Sequence, residues 1–213
     1  MIHIKKGNQP PELLKFIKEN PDAHFDDTKV KDIIRTALLK EQGYLCAYCM
    51  SRIKDDRNQT KIEHYVARND ENELDYKNLL AVCKGNEGEH YNKQHCDTRK
   101  GSKILNIDPK NEAHIQLIKY EINGKIVIKD NKIFQDDVDK ILNLNCDKLK
   151  GNRAAALKSL QKSMSKTLKN KGATKVFIEK ALKIYLHLDR NGERAEYCGI
   201  IINYLQKKLK QCS

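Results

Sequence analysis

The chain has no apolar run long enough to cross a bilayer, and its opening residues, Met1-Ile2-His3-Ile4-Lys5-Lys6, lack the hydrophobic stretch of a secretory leader. The expectation from both is a cytoplasmic protein with no membrane partner. There is no internal repeat and no Walker A pattern, so any nucleotide control has to come from another chain. Acidic residues are in short supply. The 213 residues hold 41 Lys plus Arg against 29 Asp plus Glu, a net charge of +12. From Lys148 to Ile178 there is no Asp or Glu at all. Such a balance suits a polyanion such as nucleic acid, with an acidic protein surface as the alternative.

A disulfide framework is not expected of the seven cysteines, because cytosolic thiols are kept reduced and cysteine clusters there read as metal ligands. Cys46 and Cys49 form a Cys-x-x-Cys, and Cys83 and Cys96 can complete a four-sulfur zinc site. His90 or His95 could replace one sulfur, and Cys83, following Leu79, Leu80 and Val82, could equally be a buried apolar residue. Cys146, Cys198 and Cys212 have no partner at ligand spacing and read as structural or incidental.

The chain is long enough for one domain or two small ones, and two packed lobes are the favoured reading. The pattern predicts an extended start, a short helix over Glu12–Glu19 stopped by Asn20-Pro21, and a second helix after Asp26-Asp27-Thr28. Val30, Ile33, Ile34, Ala37 and Leu38 share one face of that helix, which ends at Gly43. A short hairpin carrying the Cys-x-x-Cys over Tyr44–Ile53, a strand over Lys61–Val66, an exposed loop over Gly85–Gln94 and a short helix beginning near Cys96 should follow. Tyr120–Ile128 reads as a hairpin with Asn123-Gly124 in its turn. Helices are expected over about Leu149–Leu168, Thr174–Leu188 and Arg194–Leu209, with Gly172 and Asn191-Gly192 as breaks.

Between and beside the cysteines lie residues that could form a phosphodiester-hydrolysing site. Such a site needs an oxygen ligand for a hard cation, a base for the attacking water and charge stabilisation at the phosphate. Glu63, His64 and Asp97 can supply the first two, and Arg99 and Lys100, on the same short helix as Asp97, could hold a phosphate. Glu63 and His64 are adjacent on a strand and so face opposite sides, unless the backbone bends there. Asn78 can bond to the backbone of the loop carrying His64 and thereby fix the imidazole. A Glu-His pair alone is commonly a surface pair, and Asn-Leu-Leu alone a helix cap. The case for catalysis rests on their order inside a cysteine frame.

In the basic segment Lys158, Lys162, Lys166 and Lys169 recur at helical spacing. They read either as a phosphate-tracking stripe or as the solvated face opposite Leu157, Leu160, Met164 and Leu168. The apolar stripes Phe177, Ala181, Ile184, Leu188 and Ile200, Ile201, Tyr204, Leu205 read as core first and as partner surface second.

Glu63-His64, Asn78-Leu79-Leu80 and Cys96-Asp97-Thr98-Arg99-Lys100-Gly101, in this order, resemble the HNH endonuclease superfamily with its ββα-metal fold. The resemblance implies an α+β chain: an HNH core over 44–110 with a zinc-binding cysteine frame, N-terminal helices over 1–43, and a hairpin plus helical C-terminal lobe over 111–213. It also implies that Glu63 and Asp97 hold a catalytic Mg²⁺ or Mn²⁺, that His64 is the general base, that Asn78 orients it, and that Cys46, Cys49, Cys83 and Cys96 bind structural zinc. Two positions depart from the usual pattern. Asp97 stands where Asn or His is more common, keeping a hard oxygen ligand, and Ala67 stands where Pro is common, leaving the turn after His64 less constrained.

Lys5-Lys6-Gly7-Asn8-Gln9-Pro10-Pro11, Glu41–Cys49, Ile62-Glu63-His64 and Leu142-Asn143-Leu144-Asn145 with Arg153 are similar to the HNH component of Septu antiphage systems, the PtuB family, including its retron-associated relatives. That similarity implies antiphage defence in a hetero-oligomer with an ABC- or SMC-like ATPase (PtuA-like), acting on DNA. The helical lobe after the catalytic module is the expected place for the ATPase to dock, since such an appendage needs a purpose of its own. The competing expectations are the same nuclease on tRNA or other RNA, a zinc-dependent nucleic-acid-binding module without catalysis, and a structural subunit that only recruits an ATPase.

Overall fold

Pro11 starts the first helix, α1 (Pro11–Glu19), where its missing N–H costs nothing. Asp27 caps α2 (Thr28–Gln42) by accepting from the Lys29 amide at 2.8 Å, and Gly43, at φ 62°, ends it in the left-handed region. A computed structural model gives these elements and describes residues 1–171 and 175–212, with side chains for all of them except Thr28 and residues 166–171. The apolar face predicted for α2 is the buried one: Val30, Ile34 and Leu38 are fully enclosed, with Ile33 and Ala37 packed at their edge.

After α2 a tight turn carries Cys46 and Cys49, closed by a bridge between Leu45 and Arg52. The strands β1 (Thr60–His64) and β2 (Leu79–Cys83) pair antiparallel, Thr60 opposite Cys83 and His64 opposite Leu79. The sequence pattern assigns no element to Leu79–Cys83. It becomes a strand buried at Leu79 to Val82, packed by α2 and by α3 (Cys96–Lys100), so its apolar run is unbroken. The β1 strand stops two residues earlier than expected. Val66 donates its N–H to the Asn78 side chain and accepts from it, at 2.8 and 2.9 Å, so the amide takes the place of a ladder partner.

A short helix, α4 (Glu112–Gln116), precedes the expected hairpin, which is present as β3 (Lys119–Tyr120) and β4 (Ile126–Val127). Its turn differs in detail from the Asn-Gly expectation. Gly124 donates to the Glu121 carbonyl, and only Gly124 has positive φ, 86°. A Cβ there would lie 2.1 Å from the Lys150 carbonyl oxygen. Then follow α5 (Lys132–Asp136), continued by a wide turn over Asp137–Ile141, the long α6 (Asp147–Lys171), α7 (Lys175–Leu186) and α8 (Cys198–Lys210). The expected break at Gly172 lies outside the described residues. The last helix begins later than predicted because the Arg194 and Tyr197 amides donate to the Gly43 and Met50 carbonyls, tying this segment to the cysteine turn.

One hydrophobic cluster runs from Met1 to Leu205, uniting the N-terminal helices, the sheet and the C-terminal helices. The stripe on α8 is core: Ile200, Ile201 and Leu205 are buried. The stripe on α7 is only half so, since Ala181 is buried and Ile184 is 72% exposed.

Arg153, on α6, is completely enclosed, and its hydrogen bonds among the described residues go to carbonyl oxygens. Its guanidinium donates to the carbonyls of Gly124 at 2.6 Å and Leu144 at 2.7 Å, and to Asn145 Oδ1 at 3.3 Å, leaving Nη1 without a partner. It therefore joins the hairpin turn to the 142–145 loop. That loop in turn accepts the Cys96 amide at the Leu142 carbonyl and holds Asn92 and Gln94 through Asn143. Arg153→Met removes a costly buried charge but takes the donor from two backbone carbonyls, Gly124 and Leu144, while Asn145 Oδ1 keeps the Ile126 amide, and the loss of the two carbonyl bonds is the larger effect. The expected loss is about 3 kcal/mol, read as a lower urea midpoint; an unchanged midpoint would show that the loop holds itself.

Candidate active site and metal centre

The cysteine turn, the end of β2 and the start of α3 bring the four predicted sulfurs together. All four Sγ atoms lie within 4.8 Å of one another. Cys46 to Cys96 is 3.8 Å and Cys49 to Cys83 is 3.7 Å. A tetrahedron of thiolates around zinc has edges of about 3.8 Å for a Zn–S bond of about 2.3 Å, so the spacing fits the ion. The same distances are far too long for disulfides. Hydrogen bonds from Cys46, Cys49 and Cys96 hold the Cys83 thiol well below its ordinary range, while burial pushes Cys46 and Cys96 up.

The histidine alternatives take other positions. His95 Nδ1 sits 3.2 Å from Cys96 Sγ, beside a ligand sulfur as a hydrogen-bonding neighbour. His90 is exposed and accepts from the Asn92 amide. Cys83 is in the cluster and is not merely a buried apolar residue.

Glu63 and His64 are both on β1, and alternation separates their contacts. Glu63 points under α3: Tyr48 donates to its carboxylate at 3.3 Å, and Lys100 Nζ lies 2.6 Å away with both groups almost fully enclosed. Burial and the hydrogen-bonding Asp97 carboxylate push Glu63 up to about 8, against the pull of Lys100. Asp97 pairs with Lys61 at 3.7 Å. Two adjacent carboxylates, in no larger cluster of metal-ligating side chains among the described residues, suit a hard cation that keeps water ligands.

His64 points the other way. Its Nε2 lies 3.0 Å from the Glu73 carbonyl oxygen, and its ring meets Phe25 edge-on at 4.5 Å. A carbonyl only accepts, so Nε2 carries the hydrogen and Nδ1 is left as the basic nitrogen. Burial lowers the pKa of His64, keeping it neutral near pH 7. Asn78 braces Val66, two residues on, as its sequence position predicted.

The two residues expected at a phosphate are both engaged by other side chains and carbonyls of the chain. Lys100 is 3% exposed beneath Glu63, because its helix is one turn long and its end faces the sheet. Arg99 stacks on the Tyr91 ring at 3.4 Å and donates to the Tyr91 carbonyl. Lys158 and Lys162 are exposed on α6 opposite Leu157, Leu160 and Met164; the side chains of Lys166 and Lys169 lie outside the described residues. Sequence reading missed Tyr48 and Lys61. Lys61 was accessible to it, since residues two apart on a strand share a face and Glu63 was already placed.

Residues 46–85, which hold the first three cysteines, Glu63, His64 and Asn78, match the family model for HNH endonuclease. The chain contains an HNH domain. It is 29% identical over 133 residues to the Septu protein PtuB of Bacillus thuringiensis, covering 59% of this chain and 49% of that protein. It is also 30% identical over 122 residues to a retron Vc95 HNH endonuclease of Vibrio cholerae, covering 51% and 57%. The chain thus spans about half the length of the curated relatives it matches. The HNH match ends before Cys96, and the fold adds the helix bearing Asp97 to it. No helix among the described residues is long and apolar enough to cross a membrane.

Proposed function

We infer that this chain is a metal-dependent HNH endonuclease of an antiphage defence system, hydrolysing phosphodiester bonds in DNA together with a partner ATPase. The observation that carries the reading is the paired carboxylates of Glu63 and Asp97 at one end of a two-stranded sheet whose neighbouring residue is a neutral, oriented histidine. The name of the Septu relative supports the defence setting.

Glu63 and Asp97 would hold Mg²⁺ or Mn²⁺, which when bound stabilises negative charge on the scissile phosphate and the departing 3′ oxygen. His64 Nδ1 takes the proton of the attacking water while its Nε2–H stays on the Glu73 carbonyl. The water oxygen bonds to phosphorus in line as the P–O3′ bond breaks, leaving a 5′-phosphate and a 3′ oxygen that takes its proton from solvent to become the 3′-hydroxyl. Asn78 holds the backbone just after His64 in register, so the ring does not have to be ordered when substrate binds. Because Glu63 and His64 make their contacts on different sides of β1, the phosphodiester lies across the strand's end, where the two sides meet. Cys46, Cys49, Cys83 and Cys96 would hold zinc, which ties the cysteine turn to the helix bearing Asp97.

Glu63 makes cation binding depend on pH. Its carboxyl, pushed up to about 8, is mostly protonated at pH 7, and a cation has to displace that proton. The apparent affinity for Mn²⁺ should rise about tenfold per pH unit up to about pH 8 and level off above it. Calorimetric titration in buffers of different ionisation heat reads the released proton directly. Affinity independent of pH would place the ion elsewhere.

The partner ATPase is assigned to the C-terminal lobe, where Val176 and Ile184 on α7 are exposed apolar residues. Removing everything after residue 172 would not test this cleanly, because α8 supplies core residues. The function itself is tested by Mg²⁺- and Mn²⁺-dependent cleavage of plasmid DNA and of tRNA in parallel, with and without the ATPase. Cleavage of tRNA alone would replace the substrate, and no cleavage by a zinc-loaded, folded chain would leave a binding module.

A further inference from the structure

The face of β1 that carries His64 holds a group of charges for which the reaction outlined above has no use. Asp26, in the loop before α2, is an exposed carboxylate gripped by two cations from distant segments. Lys31 reaches Oδ1 at 2.8 Å and Arg68 reaches Oδ2 at 2.9 Å. Lys31 belongs to α2, and Arg68 to the loop that follows the base. Both cations also sit over the Phe25 ring, at 5.1 and 5.7 Å from its centre, and the same ring touches His64. From Phe25 and Lys31 a groove of about 290 Å³ runs along β1 past Arg35, Arg57 and Ile62.

We propose that Lys31 and Arg68 form a clamp for a backbone phosphate of the DNA substrate next to the one cleaved, and that Asp26 holds the clamp open for it by occupying the phosphate's place. This rests on the nuclease reading above and names the contact it lacks, since Lys100 and Arg99 are both engaged elsewhere.

Three features point to a phosphate. A carboxylate offers two oxygens as a phosphodiester offers two non-bridging oxygens, and each cation takes one. The carboxylate is exposed at 66%, so the pairs are screened by water and easily exchanged. Arg35, by contrast, is 10% exposed and fixed by both Asp32 and Asp55, so it shapes the groove without being free to bind, while Arg57 is paired with Asp32. A nucleic-acid strand supplies the stronger anion and releases counterions, which a single aspartate cannot match. Phe25 sets the distance, as both the clamp and the base rest on it.

The test uses the full chain and a fluorescein-labelled 20-base-pair DNA duplex, with anisotropy followed against salt and no divalent cation added, so that binding is read apart from cleavage. Asp26→Asn should tighten binding about threefold, because the competing anion is gone. Arg68→Gln and Lys31→Gln should each weaken it about threefold and lower the slope of log affinity against log salt by about 0.9. The same charge loss at exposed Lys132, on α5, should leave that slope unchanged. All four positions are at the surface or partly so, and circular dichroism checks that each variant is folded.

Unchanged slopes for Arg68→Gln and Lys31→Gln, or Asp26→Asn binding no tighter than wild type, would overturn the clamp. An effect on a same-sequence RNA duplex and not on DNA would overturn it as a DNA contact. A parallel cleavage assay separates the two proposals. His64-dependent cleavage with unaltered slopes removes only the clamp, and altered slopes without cleavage under any condition keep the clamp and remove the nuclease.

Discussion

His64→Ala should reduce cleavage by roughly 10²- to 10⁴-fold while leaving the chain folded and its DNA affinity intact. The loss is large because the described residues in contact with His64 offer no second basic nitrogen: Glu73 gives it only its carbonyl and Phe25 only its ring. The cost to folding is small because the imidazole is half-buried at a rim, with one hydrogen bond to a carbonyl that water can take over. A second reading comes from pH. Burial holds His64 below its ordinary value, so the base is fully available at pH 7 and the rate should fall on acidification with a midpoint below about 6.5. Initial rates on plasmid DNA at saturating Mg²⁺ measure both effects. If the alanine variant cleaves as the wild type does, the base is elsewhere and this site has no role in catalysis.

Cys96→Ser should have the largest structural effect of any single change. A tetrahedral thiolate site contributes roughly 10–16 kcal/mol of apparent zinc binding, comparable to the whole stability of a domain of this size. Cys96 also does more than ligate. It begins α3 at φ 56°, donates its amide to the Leu142 carbonyl, and is followed directly by Asp97. Losing the sulfur would free the start of the helix and with it Asp97, the second carboxylate of the proposed cation site. Metal analysis should therefore find about one zinc per wild-type chain and much less in the variant. Limited proteolysis should open the loop between Cys83 and Cys96. Cys212→Ser, at an exposed thiol remote in sequence from the cluster, should leave zinc content and stability as they were. Equal zinc in both variants would mean that the four sulfurs do not form the site.

Much of this site was legible because local rules decide it. Asp27 and Gly43 mark the ends of α2 through capping chemistry that needs nothing beyond the neighbouring backbone. Cys46 and Cys49 lie on one turn, and the order of Glu63, His64, Asn78 and Asp97 already gave the roles proposed for them. The bonds of Asn78 became clear only with the fold: its amide can donate and accept, and the pairing of β2 with β1 brings the backbone of Val66 within its reach.

The misplaced residues are those whose direction depends on distant neighbours. Lys100 and Arg99 follow Asp97 closely enough to be assigned to the same phosphate by spacing. Where their ends go is set by Glu63, thirty-seven positions earlier, and by the Tyr91 loop. Leu79–Cys83 has no alternating pattern because it is covered on both faces, and a continuous apolar run does not distinguish strand from helix. The start of α8 was displaced by hydrogen bonds to Gly43 and Met50, which no pattern near Arg194 reveals.

By itself the sequence determined the candidate cysteine cluster, the order of the proposed catalytic groups and the basic character of the chain, since these follow from residue type and short spacing. Only the tertiary structure decided which charges are free. It buried Lys100 against Glu63, enclosed Arg153 among carbonyl oxygens, and set Lys31 and Arg68 on the two oxygens of one exposed aspartate. The physical reason is that a charge's work depends on its distance to other charges and to water, and both are fixed by contacts between segments far apart in the chain.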